Sequence, residues 1–342
     1  MWKTHVKRGI GAAVVFLLLL SAALILLNRD RPSLQSIDWA EPALAPNAAS
    51  GIVTATWLGV TTLLFDDGET QILIDGFISR PSAAEMLLGR PVDNDIPKIN
   101  AVMNDYRMRR LAAIIPVHSH FDHAMDIGAI ANRSSASILG SPTSAEIARG
   151  AGVPEDQIAI VEETTVFEFG EFKVTLRPSG HAPIGWRGSV PFDGVIDKPL
   201  QLPQPISAWR MGGAYTVVIE HPQGTALVQG SASYRKYELL EVAADVVFLG
   251  VGQLDTLGRD YAELYWQHTV TATGSHSVYP IHFDDFTQPF GDIGLPPRII
   301  DDFVKVAGWL EEYQRRWDRD TTLFLPQFGQ PIAIFSQPAP GT

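Results

Sequence analysis

Apolar and β-branched residues recur in short runs, broken by glycine, proline and acidic pairs. Runs at 52–57, 61–65 and 71–74, separated by Gly59 and by Asp66-Asp67-Gly68, predict an opening meander of strands. Residues 77–110 leave that pattern. Pro81, Pro91 and Pro97 punctuate two helical stretches there, 82–88 and 99–110, which form a lid, a substrate wall or plain surface packing. A continuous apolar run, 111–117, predicts a buried strand, followed by a helix at 122–132, a strand at 137–139 and a helix at 144–151. The second half repeats the scheme. A hairpin turns about Gly170 (164–169 and 172–177), and a second spans 214–220 and 225–229. A strand at 246–250, a helix at 259–273, a strand at 278–281, a helix at 299–313 and an edge strand at 322–325 complete it. Strands arrive in two sets, each followed by helices, which is an α/β pattern.

The N-terminus departs from this alternation. Lys3, Lys7 and Arg8 precede an apolar run from residue 10 to 27, which Asn28-Arg-Asp-Arg-Pro32 stops. That length is close to the roughly 17–25 residues that span a bilayer, and no small-x-small cleavage site follows directly. We therefore expect residues 1–32 to be an uncleaved signal anchor. The more basic N-terminal flank lies in the cytoplasm and the rest of the chain outside it, periplasmic or extracellular. A cleaved, secreted form is the alternative. Residues 33–50, rich in proline, alanine and serine, read as a linker, leaving 51–342 as one domain.

Composition narrows the chemistry. The chain carries a net charge of −12 with no dense Lys/Arg stripe beyond the N-terminus, which argues against a nucleic-acid substrate. It has no cysteine, so disulfides and thiolate ligands are excluded. No obligate protein partner is evident.

The candidate chemistry sits at the end of the 111–117 strand, where His118-Ser-His120-Phe-Asp122-His123 follows Val117. Three of the chain's nine histidines fall within six positions, with an aspartate between them. In extended chain, residues i and i+2 point the same way, so His118 and His120 can meet one cation. Asp122 and His123 lie where the chain turns into a helix and can face a second cation. Imidazole and carboxylate are the ligand set of zinc and similar divalent metals. The stretch 184–211 is a long loop carrying Trp186, Arg187, Trp209 and Arg210. Those groups either hold an apolar group and an anion of a substrate or pack against the core.

The His118-x-His120-x-Asp122-His123 run resembles the H-x-H-x-D-H motif of metallo-β-lactamase-fold hydrolases. The resemblance spans roughly residues 52–335 and implies a four-layer αββα sandwich with metals at one edge. It implies that His181, in Pro178-Ser-Gly-His181, joins His118 and His120 on a first metal. His282, in Tyr279-Pro-Ile-His282, would join Asp122 and His123 on a second. It further implies that Asp75 holds the histidine loop from beneath by hydrogen bonds, the alternative being a turn aspartate before Gly76. Where that family has a bridging aspartate this chain has Ser231, so we expect one tight metal and one weak or empty site. Asp255, just past a strand end, is a conceivable replacement ligand. The Trp-Leu-Gly-Val start, the long loop after His181 and the Pro-Ile-His ending look closest to the branch of ascorbate-phosphate lactonase and N-acyl-phosphatidylethanolamine phospholipase D.

The expected activity is that of a membrane-anchored, zinc-dependent hydrolase. A metal-activated hydroxide attacks a phosphodiester or ester, small or lipid-derived, and Asp122 orients the nucleophile or passes a proton to the leaving group. A lactonase or other small-molecule hydrolase is the second reading. A non-catalytic, metal-stabilised binding protein with a decayed second site is the third.

Overall fold

Strand β3, Gln71–Ile74, shows why this chain needs covering layers on both sides. Ile72 and Ile74 enter one core cluster and Leu73 the other, as the twofold alternation of a strand requires. Strand β2, Leu63–Asp66, divides in the same way, Leu63 and Phe65 against Leu64, and so does β4, Leu111–Ile115. A strand apolar on both faces is stable only when both faces are covered. One face packs on a second sheet, with Phe65 meeting Phe248 edge-on at 5.7 Å. The other packs on helices.

The computed structural model of the chain describes residues 29–45 and 51–335. The apolar run 10–27, expected to be a membrane anchor, lies outside the described residues. Among the described residues no helix is long and apolar enough to cross a membrane. The described residues form two seven-stranded sheets. The first runs β14 (Pro331–Ala333), β1 (Thr54–Trp57), β2, β3, β4, β5 (Ser137–Gly140), β6 (Ile158–Ile160). The second runs β13 (Thr322–Leu323), β12 (Ser277–Ile281), β11 (Val246–Gly250), β10 (Gly224–Gln229), β9 (Ala214–His221), β8 (Phe172–Ser179), β7 (Thr165–Phe169). Each sheet is half antiparallel and half parallel. Strands β3, β4, β8, β10 and β12 all end at one edge of the sandwich.

Helices α1 (Ala83–Leu87), α2 (Ile96–Asp105), α3 (Phe121–Ala124), α4 (Ile127–Ser134) and α5 (Pro142–Gly150) belong to the first half of the chain. Of these, α2, α4 and α5 bury their apolar residues against the outer face of the first sheet. Helices α6 (Leu254–Leu257), α7 (Arg259–Trp266) and α8 (Phe303–Trp317) pack with the second. The layers therefore follow the expected helix–sheet–sheet–helix order.

Several boundaries differ from the pattern-based expectation. The helix expected at 122–132 is two helices, because Asp126 turns inward between α3 and α4. Its carboxylate accepts from Ile78 N (2.7 Å), Ser79 N (2.7 Å), Ser79 Oγ (2.6 Å) and Asn94 Nδ2 (2.7 Å). One buried side chain thus ties the 77–95 excursion to the first sheet. The helix expected at 299–313 begins instead at Phe303, where the Asp302 carboxylate accepts from Lys305 N, and this leaves Ile299 and Ile300 exposed. Strand β14, at Gly329-Gln-Pro331-Ile-Ala, is too short to show a period. The described part of the expected linker, 33–45, is not free: Leu34, Ile37 and Trp39 pack on the core, and Trp39 Nε1 donates to Glu311 Oε1 at 2.9 Å.

Backbone bonds join the sheets at the shared edge, Tyr215 N to Val117 O at 2.8 Å and His282 N to Val60 O at 2.9 Å. A buried ion pair reinforces them. Arg80 Nη1 lies 3.0 Å from Asp284 Oδ2 with both side chains wholly excluded from solvent, and Asp284 Oδ1 accepts from Val60 N at 2.8 Å. The guanidinium sits over the rings of Phe77 and Phe290, at 5.6 and 6.0 Å. Gly59, at φ 89°, is required beside it, because a Cβ there would collide with the guanidinium. Removing one member of such a pair strands the other charge. Arg80→Met should cost about 3–5 kcal/mol, read as a lowered urea midpoint by tryptophan fluorescence.

Candidate active site

All six proposed ligands lie at the shared edge, four on loops and Asp122 and His123 in the short helix α3. Strand β4 ends at Ile115, and three residues later the chain enters the histidine loop. Asp75, directly after β3, is completely buried. Its Oδ1 accepts from Val117 N at 2.7 Å and its Oδ2 bonds His123 Nδ1 at 2.6 Å. Asp75 therefore lies under the histidine loop, holding both its backbone and one of its rings.

The donors form two groups, His118/His120/His181 and Asp122/His123/His282, each with its ligand atoms within 4.8 Å of one another. The groups adjoin, since the His118 and His123 ring centroids are 3.8 Å apart. Asp122 Oδ2 lies 3.5 Å from both His123 Nε2 and His282 Nε2. Ring orientations are set from behind. His181 Nδ1 faces Ala182 O at 2.8 Å, and the backbone at Pro191 and Phe192 hydrogen-bonds the His120 ring. With Nδ1 occupied by a carbonyl or by Asp75, Nε2 is left as the inward atom. Gly252 makes room for His282: a Cβ there would come within 2.8 Å of its Nδ1.

The electrostatics match a cation site. Burial pushes His118 well below the ordinary imidazole range and brings His181 to about 4, with neighbouring imidazoles acting in the same direction. Burial also lowers His120. These rings are neutral, the form that binds metal. For His123 burial works the same way, but the Asp75 and Asp122 charges outweigh it and hold its pKa up. Burial also opposes ionisation of Asp122, yet His123, His282 and His120 together keep its carboxyl well below the usual carboxylate range. The Nε2 atoms of His118 and His120, and Nδ1 of His118, are buried without a hydrogen-bond partner. Buried polar atoms left unpaired are costly unless something binds them. The residues present fit a divalent metal.

Other sequence-based candidates are placed differently. Ser231 lines the pocket, and its Oγ accepts from Ala182 N at 2.9 Å, supporting the segment that carries His181. Asp255 does not reach inward as a ligand. It lies beside Asp301, whose Oδ2 accepts from Gln253 N at 2.7 Å and whose carboxyl burial first, and then the Asp255 charge, pushes up to about 8. Trp209 is a core residue, wholly buried between the 184–211 loop and the first helical layer. Trp186 is 83% exposed with Arg187 over its ring; neither they nor the exposed Arg210 line the pocket. The loop contributes Ile184, Pro191 and Phe192 instead. Phe121 and Phe286 also line the pocket. Phe121 lies inside the His118–His123 run and Phe286 four residues after His282, which was the signal available in the sequence.

A third group, Asp67, Glu171 and His221, lies at the opposite edge. There Gln223 N donates to His221 Nδ1 at 3.2 Å, and His221 Nε2 lies 3.3 Å from Glu171 Oε2.

Two mixed sheets with helices outside them, and His/Asp donors gathered at the strand ends, define a metal-dependent hydrolase of the metallo-β-lactamase fold. No protein-family model matches the chain. It is 32% identical over 249 residues to a UPF0173 metal-dependent hydrolase of Heliobacterium modesticaldum, covering 72% of this chain and 88% of that protein. The chain belongs to the UPF0173 metal-dependent hydrolase family. Among solved structures, a possible metal-dependent hydrolase from Veillonella parvula aligns over 83% of this chain and all of its own (100%), with a TM-score of 0.50 at 16% identity. The metallo-β-lactamase fold protein YhfI from Bacillus subtilis aligns over 82% of this chain and 98% of its own, with a TM-score of 0.47 at 14% identity.

Asp75→Asn keeps the acceptor for Val117 N but removes the charge behind His123. Metal affinity should fall about 10–100-fold in a chelator-competition titration, with the thermal midpoint little changed.

Proposed function

We propose that this protein is a membrane-anchored, zinc-dependent hydrolase of phosphodiesters or esters, including lipid-derived ones. The observation that carries the reading is two adjoining three-donor groups opening into a pocket walled by Phe121, Phe192, Phe286, Ile184 and Ile300. His118, His120 and His181 would hold one zinc, and Asp122, His123 and His282 a second. Six imidazole and carboxylate donors without a thiol suit zinc while allowing other divalent metals. When bound, zinc supplies a Lewis acid and brings the pKa of water down to about 7.

The chain's own residues do the rest. Asp75 keeps His123 in one orientation and one tautomer. Asp122, the only carboxylate among the six donors, is ionised and faces the pocket, so it is the group that takes a proton from the nucleophile and then hands that proton to the leaving group. The Phe192 ring lies 6.2 Å from His120 and the Phe286 ring 6.3 Å from His282, so apolar walls exclude water and suit an acyl chain or similar group. Membrane anchorage rests on the apolar run 10–27. The phosphodiester and lipid preferences rest on the aromatic pocket and the branch resemblance of the sequence.

Two measurements test this reading. A panel of phosphodiesters, acyl esters and lactones should show turnover that chelation abolishes, that zinc restores and that His120→Ala reduces to background. Turnover of lactones alone would favour the small-molecule reading, and none by the zinc-loaded protein would favour a binding protein. Separately, Ser231 supplies no charge between the two groups, so dialysed protein should retain about one equivalent of metal. Ser231→Asp should retain about two, by elemental analysis.

A further inference from the structure

We propose that the pocket wall formed by residues 285–300 lies on a phospholipid bilayer, so that the pocket draws an acyl-bearing substrate directly from the leaflet. This deepens the membrane-anchored reading above and rests on it. The wall is tied to the segment that follows the apolar run. Arg31 Nη1 donates to Asp285 Oδ2 at 2.6 Å and to Leu295 O at 2.8 Å. Arg298 N donates to Asp30 O at 3.1 Å, and its Nε lies 3.6 Å from Asp30 Oδ1. The apolar run ends at Leu27, three residues before Asp30. Three residues of fully extended chain reach no more than about 11 Å. The zone outside a bilayer's hydrocarbon is roughly 5–8 Å deep on each side. A bilayer that takes residues 10–27 therefore holds this wall at or next to its headgroups.

The wall has the chemistry for that position. Ile299 is 75% exposed and Ile300 53%, side by side just before α8, and Ile300 also lines the pocket along with Phe286 and Pro296. Two exposed isoleucines at the mouth of an apolar pocket suit the boundary between headgroups and acyl chains. The adjacent arginines are paired, Arg31 with Asp285 and Arg298 with Asp30 and Asp302, and Asp292 is exposed, so the wall offers anionic lipid no spare positive charge. With a chain-wide charge of −12, attraction to anionic lipid cannot bring this face to a membrane, and the short tether does so instead.

The absence of cysteine makes a direct test simple. Full-length Ile299→Cys, labelled with a polarity-sensitive dye, is reconstituted into phosphatidylcholine vesicles brominated at shallow or deep acyl positions. Glu171→Cys, in the turn between β7 and β8 at the opposite edge, serves as the control. The label at 299 should shift to the blue and be quenched most by shallow bromines, whereas the label at 171 should do neither. A water-exposed label at 299 on protein that resists carbonate extraction would overturn the proposal. So would a blue-shifted label that bromines do not quench, which would place a second copy or the chain's own N-terminal segment on the wall. Release of the protein by carbonate would remove both this proposal and the anchorage. Zinc-dependent turnover of a soluble ester, measured in parallel, reports on the hydrolase reading by itself.

Discussion

The site depends first on one buried carboxylate. Asp75 divides its two oxygens between the Val117 amide and the His123 ring, so the backbone entering the histidine loop and a ring leaving it are fixed by a single side chain. Without it the loop would hold four ligand residues on a chain with few constraints of its own. A fully buried carboxylate is tolerated only when its hydrogen bonds are satisfied. Asp75 is satisfied by the loop it positions.

The second constraint is that the ligands come from both sheets. His118, His120, Asp122 and His123 follow a strand of the first sheet, and His181 and His282 follow strands of the second. Their convergence requires the sheets to meet at one edge in a fixed relation. The Val60–His282 and Val117–Tyr215 backbone bonds and the solvent-excluded Arg80–Asp284 pair supply it. Asp126 does similar work on the far side, drawing the 77–95 excursion against the first sheet. Buried polar groups thus hold the geometry, while the apolar layers supply most of the stability.

The pocket joins this polar frame to an apolar opening. The neutral rings of His120 and His181 and the ionised Asp122 lie at its base, and phenylalanine, proline and isoleucine form its walls. Such a pocket matches a substrate with a hydrolysable polar centre and an apolar remainder. Residues 29–31 bring the segment after the N-terminal apolar run to the same wall.

Much of the donor set was legible in the chain itself. His118, His120, Asp122 and His123 are close in sequence, their period follows from an extended strand entering a helix, and resemblance added His181, His282 and Asp75. Strands with strong apolar runs were equally plain. What the sequence could not decide is which way side chains face where no period exists. Trp209 and Trp186 sit in the same proline-rich loop, yet one is core and the other solvent-exposed, because turns rather than a helix or strand set their direction. Asp255 and Asp301 are 46 residues apart and meet only because α6 and the segment before α8 are packed together. Asp126 broke a helix that local propensity would have continued, since four donors from distant residues outweigh one turn of helical bonding. Local periodicity and motif spacing determined the elements and most of the ligands. Tertiary packing, through long-range hydrogen bonds and burial, decided which remaining polar and aromatic groups serve the site.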